Sequence, residues 1–186
     1  MAITTAQKWI FSVCVLVFTA LAIIALLMFQ PRLETIQNDI ENDYQSVSHI
    51  SASEFSELDV NKVVVFDVRE PEEFAVSHIA GAIQVMPNID PSEFIQDYGD
   101  LLEGKQVVFY CSVGRRSSEL ANRLGDAPLE HGAVSSKNLI GGVFSWVNQS
   151  RLLRNSNQDT TNLVHPYNKY WGRLVADPNK LSLTPQ

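Results

Sequence analysis

Residues 107–125 read VVFYCSVGRRSSELANRLG, so a strand pattern, a chemically loaded turn and a helix pattern follow one another directly. Val107 to Tyr110 are strand formers without polar alternation, as in a strand covered on both faces. Helical spacing resumes near Ser117. Between the two stand Cys111, Ser112, Val113, Gly114, Arg115 and Arg116. In open parallel sheets ligands bind at the carboxyl ends of the strands, which is where this turn would lie.

Working outward, the same alternation recurs between residues 47 and 150: VSHI then SASEFSEL, KVVVFDV then EPEEFAVS, AIQV then PSEFIQDYG, and SSKNLI then GGVFSWVNQ. Strands alternating with helices predict an α/β domain with a central parallel sheet flanked by helices. Ser51 or Ser53 caps the first helix, and Pro71 and Pro91 suit first-turn positions, where a missing N–H costs nothing. Hydrophobic residues make up 45% of the 186, enough for one domain with a substantial core. A net charge of −7, with 14 Lys and Arg and no basic run, argues against a nucleic-acid partner.

Residues 9–29 carry no charge and are long enough for a transmembrane helix, with Lys8 and Trp9 at one interface and Arg32 at the other. The absence of a small-residue cleavage site before "QPRLE" favours an uncleaved single-pass anchor, assigned to residues 1–30, over a signal peptide. Lys8 and the α-amine against Arg32 tilt the N-terminus toward the cytoplasm. Residues 31–46 read as a linker or solvated stalk, with Leu33, Ile36, Ile40 and Tyr44 at near-helical spacing. Residues 151–186 form a C-terminal extension in which Tyr167, Tyr170 and Trp171 cluster; docking on the domain is the expectation, with a free final stretch.

The turn after Val107–Tyr110 has a chemical logic. The first amides of the following helix lack intrahelical acceptors and point at the turn as an anion-binding nest. Gly114 allows a backbone path that a side chain would resist. A thiol facing those amides and two guanidinium groups is favoured as the thiolate. Cys111 therefore reads as a nucleophile for an anionic substrate. Cys14 lies in the apolar segment, and His49, His78, His131 and His165 are scattered, so neither a disulfide nor a metal site is expected. The acidic run Glu70, Glu72 and Glu73 opens a helix, where negative charge suits the dipole, and reads as structural. Trp146 reads as core.

VVVFDVREPEEFAVSHIAGAIQV, residues 63–85, resembles the signature of the rhodanese (thiosulfate sulfurtransferase) family: a strand ending in Asp-x-Arg, acidic residues and Phe, then Gly-His-Ile-x-Gly-Ala. YCSVGRRS is similar to that family's Cys-x-x-Gly-x-Arg loop, and NLIGGVFSW to its closing strand, Gly-Gly pair and Trp-bearing helix. The resemblance covers residues 47–150, with Ser77 where the family has Gly and a longer link at DAPLEHGAVSSKN. It implies a rhodanese-like domain in which Cys111 carries sulfur as a persulfide and Ser112 to Arg116 form the cradle. Asp67, Arg69 and His78 would hold the region together. The spacing Cys-x4-Arg is one residue shorter than the phosphate-cradling loop of related cysteine phosphatases, which implies a cradle for a sulfane sulfur. The implied partners are a small anionic sulfur donor and a thiol or protein acceptor, with no cofactor. The alternative is a membrane-tethered binding or persulfide-sensing module without significant turnover.

Overall fold

The computed structural model describes residues 9, 15–20 and 32–185. Residues 9 and 15–20 are helical, but most of the expected membrane segment, and Cys14 within it, lies outside the described residues. No helix among the described residues is long and apolar enough to cross a membrane.

From Arg32 onward the chain forms one compact unit. Its sheet comprises β1 (His49–Ile50), β2 (Val63–Asp67), β3 (Ile83–Gln84), β4 (Gln106–Tyr110) and β5 (Ser135–Leu139), in the order β1-β5-β4-β2-β3. Every pairing is parallel. Central β2 and β4 run in register from Val63 opposite Gln106 to Asp67 opposite Tyr110, so Asp-x-Arg and the cysteine turn leave the sheet side by side.

Alternate residues of these strands serve opposite cores, as the two-residue strand period requires. Val65, Val108, Tyr110 and Leu139 pack on one face with Phe55 of α2 (Ala52–Ser56) and Val143, Phe144 and Val147 of α7 (Gly142–Asn148). Phe66, Val107 and Phe109 pack on the other with Phe94 of α4 (Pro91–Tyr98) and Leu120 and Leu124 of α5 (Arg115–Leu124). The remaining helices of the domain are α3 (Pro71–Val76) and α6 (Ala127–Glu130), the latter filling the long link before β5. Ser51, rather than Ser53, caps α2, in a reciprocal capping box with Glu54. Pro71 and Pro91 occupy first turns.

Both flanking segments differ from expectation. The stretch read as a solvated stalk contains α1 (Leu33–Asp43), whose Ile40 is fully buried and whose Leu33 and Ile36 pack on the domain core. Its apolar stripe was visible, but the partner is the domain itself rather than solvent. After α7 the chain makes an antiparallel pair, β6 (Leu153–Arg154) and β7 (Thr160–Thr161), then α8 (Lys169–Gly172). Val164, Leu174 and Val175 are buried in the first core. The final stretch expected to be free is tied in by hydrogen bonds of Val164 with Lys180 and of Ser182 with Val164. Polar composition hid this, because those ties use backbone groups.

Candidate active site

Tyr110 ends β4 and the chain turns at once through Cys111-Ser112-Val113-Gly114 into α5, which starts at Arg115, two residues before the helical pattern became evident. Gly114 has φ +99°, and a Cβ there would press on the Leu139 carbonyl and the Asn138 side chain. From above, Val143 and Phe144 donate backbone hydrogen bonds to the Cys111 and Ser112 carbonyls. A Cβ on Gly142 would sit within 2.3 Å of the Cys111 carbonyl oxygen, so the Gly-Gly pair exists to let α7 approach the turn. The result is a turn clamped from two sides. The Gly114 N–H lies 3.2 Å from Cys111 Sγ and donates to it, and Cys111 itself is almost entirely buried.

Ser112 donates to Glu73 of α3 at 2.8 Å. The same carboxylate receives both Arg116 nitrogens, at 2.7 and 3.0 Å, in a fork geometry that fixes the guanidinium plane. Burial raises the Glu73 pKa, but the Arg116 hydrogen bonds and charge outweigh it, and the net shift is downward. For Arg116 burial acts downward, while the hydrogen bond to Glu73 and the charges of Cys111 and Glu73 win, and the net shift is upward. Both groups stay charged. Glu73 is thus the orienting partner of the loop arginine, a role the helix-start reading of the acidic run missed. Its spacing from Arg116 gave no local signal. Arg115 instead reaches Asp43 of α1 on an exposed surface, although its side chain still borders the cavity beside Cys111.

Beneath the turn, the fully buried Arg69 pairs with Asp67 at 2.6 Å and donates to the Ser77 carbonyl at 2.6 Å. The Tyr110 hydroxyl also donates to Asp67 and accepts from the Ile79 N–H. Burial lowers the Arg69 pKa, and Asp67 more than reverses this, leaving a permanent cation. Burial and Asp67 push the Tyr110 pKa well up. His78 stacks on Phe74 at 3.9 Å, its Nδ1 3.1 Å from the Phe74 carbonyl, and exchanges backbone hydrogen bonds with Arg154. Asp67 and Arg69 therefore form a bracket under the turn, and His78 joins the domain to its extension. None of the three lines the cavity at Cys111.

That cavity has a volume of about 220 Å³ and is lined by Cys111, Ser112, Val113, Arg115 and Arg116 together with Tyr167 and Trp171 of the extension. The Tyr167 ring lies 5.1 Å from the Arg116 guanidinium carbon, in a cation–π arrangement. A larger cavity, about 540 Å³, lies against Phe55, Trp146 and Arg151. It is chiefly apolar and lacks a cysteine, so the thiol chemistry belongs to the smaller one. Trp146, read as core, is partly exposed on that larger cavity, with Arg151 over its ring.

A family model described as the rhodanese-like domain matches residues 42–149, more than half of the chain. The chain belongs to the rhodanese-like domain family. Thiosulfate:glutathione sulfurtransferase of Saccharomyces cerevisiae is 31% identical to it over 126 residues, covering 59% of this chain and 87% of that protein. A tRNA uridine(34) hydroxylase of Staphylococcus carnosus is 30% identical over 126 residues, 63% of this chain, which spans 38% of that relative's length. Among solved structures, thiosulfate sulfurtransferase from Pseudomonas aeruginosa shares the fold with a TM-score of 0.50 at 17% identity, covering 66% of this chain and 23% of that one. Tyr167 and Trp171 lie beyond the residues matched as rhodanese-like domain.

Proposed function

We propose that this chain is a sulfurtransferase that moves a sulfane sulfur from an anionic donor such as thiosulfate to a thiophilic acceptor through a Cys111 persulfide. The observation that carries this reading is the Cys111 turn, with its Gly114 N–H aimed at Sγ and the start of α5 directly behind it. The Cys111 thiolate attacks the outer sulfur of thiosulfate. A new S–S bond forms, the donor S–S bond breaks, and its electron pair leaves on sulfite, giving Cys111–S–S⁻. The persulfide anion is held by the turn amides and by the N-terminal end of α5. An acceptor thiolate then attacks the outer sulfur, forming its own persulfide and returning the Cys111 thiolate.

Ser112, Val113 and Gly114 shape the cradle, Arg116 closes it while held by Glu73, and Arg115 adds positive potential at its rim. Asp67, Arg69 and His78 act by positioning. The sulfurtransferase relative of S. cerevisiae supports sulfur transfer as the reaction class. The uncharged run at residues 9–29 supports attachment of the domain to a membrane as a single-pass protein, and Lys8 and the α-amine against Arg32 tilt its N-terminus toward the cytoplasm.

The test is steady-state thiocyanate formation from thiosulfate and cyanide by the full chain. Double-displacement kinetics, with parallel double-reciprocal lines and loss of turnover in Cys111→Ser, are expected. Turnover that survives Cys111→Ser would overturn the assignment.

A further inference from the structure

We infer that Tyr167 and Trp171 determine donor specificity, making the site selective for singly charged sulfane-sulfur donors that carry an apolar group, such as organic thiosulfonates, over the thiosulfate dianion. This rests on the sulfur-transfer reading and deepens it. Three independent features of the structure carry it.

First, the charge available to a donor is smaller than the two arginines suggest. Arg116 faces Cys111 but is also bound in a fork to Glu73, and Arg115 is paired with Asp43, so each guanidinium charge beside the cavity is partly offset by a carboxylate. The turn amides remain for the transferred sulfur. A second full negative charge on the donor meets only these offset charges, and desolvating it is costly. Second, the rest of the wall is apolar. Val113, the Tyr167 ring and Trp171 line the space next to Sγ, and the cavity, at about 220 Å³, is below the roughly 300–1,000 Å³ of sites for drug-sized ligands. It fits a small solute with one flat or short apolar group.

Third, the segment that brings these rings is built to hold them. Tyr167 has φ +62°, a left-handed backbone that a bulky residue rarely adopts. Its N–H donates to His165 Nδ1 at 3.0 Å, which makes that nitrogen an acceptor. The Asn168 side chain caps α8, accepting from the Tyr170 and Trp171 N–H groups at 2.9 and 3.1 Å, and so fixes the Trp171 backbone. Upstream, the Ser77 hydroxyl donates to the Leu163 carbonyl at 2.6 Å. Ser77 stands where the family pattern has Gly, so this departure from the pattern supplies an anchor for the extension.

With an organic thiosulfonate the step balances as before: Cys111–S⁻ attacks the terminal sulfur of R–SO₂–S⁻, the S–S bond forms, and the donor's S–S bond breaks with its electron pair leaving on the sulfinate R–SO₂⁻. The group R occupies the cavity that Val113, Tyr167 and Trp171 line beside Sγ.

The test compares kcat/KM of the full chain for benzenethiosulfonate, methanethiosulfonate and thiosulfate, with cyanide as acceptor, each rate divided by that of the same donor with a free thiol in solution. The normalised preference for the aryl donor over both others is expected to exceed unity in the wild type. It is expected to fall about 2- to 12-fold in each of Tyr167→Leu and Trp171→Leu, the range set by single aromatic contacts. Because the wild-type ratio is read without any variant, a variant that folds poorly does not remove the test. Turnover with all three donors and no normalised aryl preference in the wild type overturns the inference while sulfur transfer stands. No turnover and no Cys111 persulfide with any donor overturns the sulfur-transfer reading, and the inference with it.

Discussion

Cys111 and Gly114 announce themselves in the sequence because their chemistry is local: a thiol, a tight turn and a helix start within a few positions. Glu73 does not, because its partner Arg116 is 43 positions away and only the parallel pairing of β2 with β4 brings the two together. The carboxylate was legible as a helix-start residue, and its reciprocal bond with the Glu70 backbone confirms that part, but the side chain also holds the loop. Replacing Arg116 by Lys keeps the charge and loses the fork. Arg116→Lys is expected to lower kcat/KM for sulfur transfer on the order of 10²-fold, the scale of a small displacement at a reacting centre. Steady-state kinetics with thiosulfate check this, and an unchanged kcat/KM would show that the fork does not position the turn. Removing the buried bracket has a different signature. Asp67→Ala leaves Arg69 charged and unpaired, so a loss of about 3–5 kcal/mol of stability is expected in urea unfolding.

At the scale of elements, the strand-turn-helix order was readable because buried parallel strands carry uninterrupted Val and Phe, and because Pro and Ser mark helix starts. The short edge strands β1 and β3 were read longer than they are, since pairing on one side only sets where they stop. The contact between α7 and the cysteine turn shows how two elements share one site. Gly142, at φ +55°, lies against the Cys111 and Ser112 backbone, so an added methyl meets atoms that cannot rotate away. Gly142→Ala is expected to destabilise by more than about 1 kcal/mol and to impair sulfur transfer at the same time, measured by unfolding and turnover on one preparation. Ser51→Ala, which removes the α2 cap outside the cavity at Cys111, is expected to cost about 0.5–2 kcal/mol and leave kcat/KM as it was.

For the whole molecule, the unit from Arg32 onward is larger than the domain pattern suggested, because α1 and the extension complete its cores. The sequence showed the aromatic cluster at Tyr167 to Trp171 but not its seat, which depends on long-range backbone ties no spacing rule reveals. His49, His78 and His165 all have pKa values below the usual imidazole range, in each case first because burial disfavours the charged ring. The unfolded chain therefore binds more protons than the folded one below about pH 6.5, and stability is expected to be full above that value and to fall as the pH drops through the lower folded-state values. Urea midpoints across pH 8 to 5 check the sign; a midpoint that rises on acidification would contradict it. The central claim, that Cys111 carries the sulfur, is tested most directly by the intact mass of the full chain after treatment with thiosulfate and, separately, with benzenethiosulfonate, beside Cys111→Ser. A gain of one sulfur atom, lost on reduction and absent from the variant, is expected. An unchanged mass with both donors, or an equal gain in the variant, would contradict it.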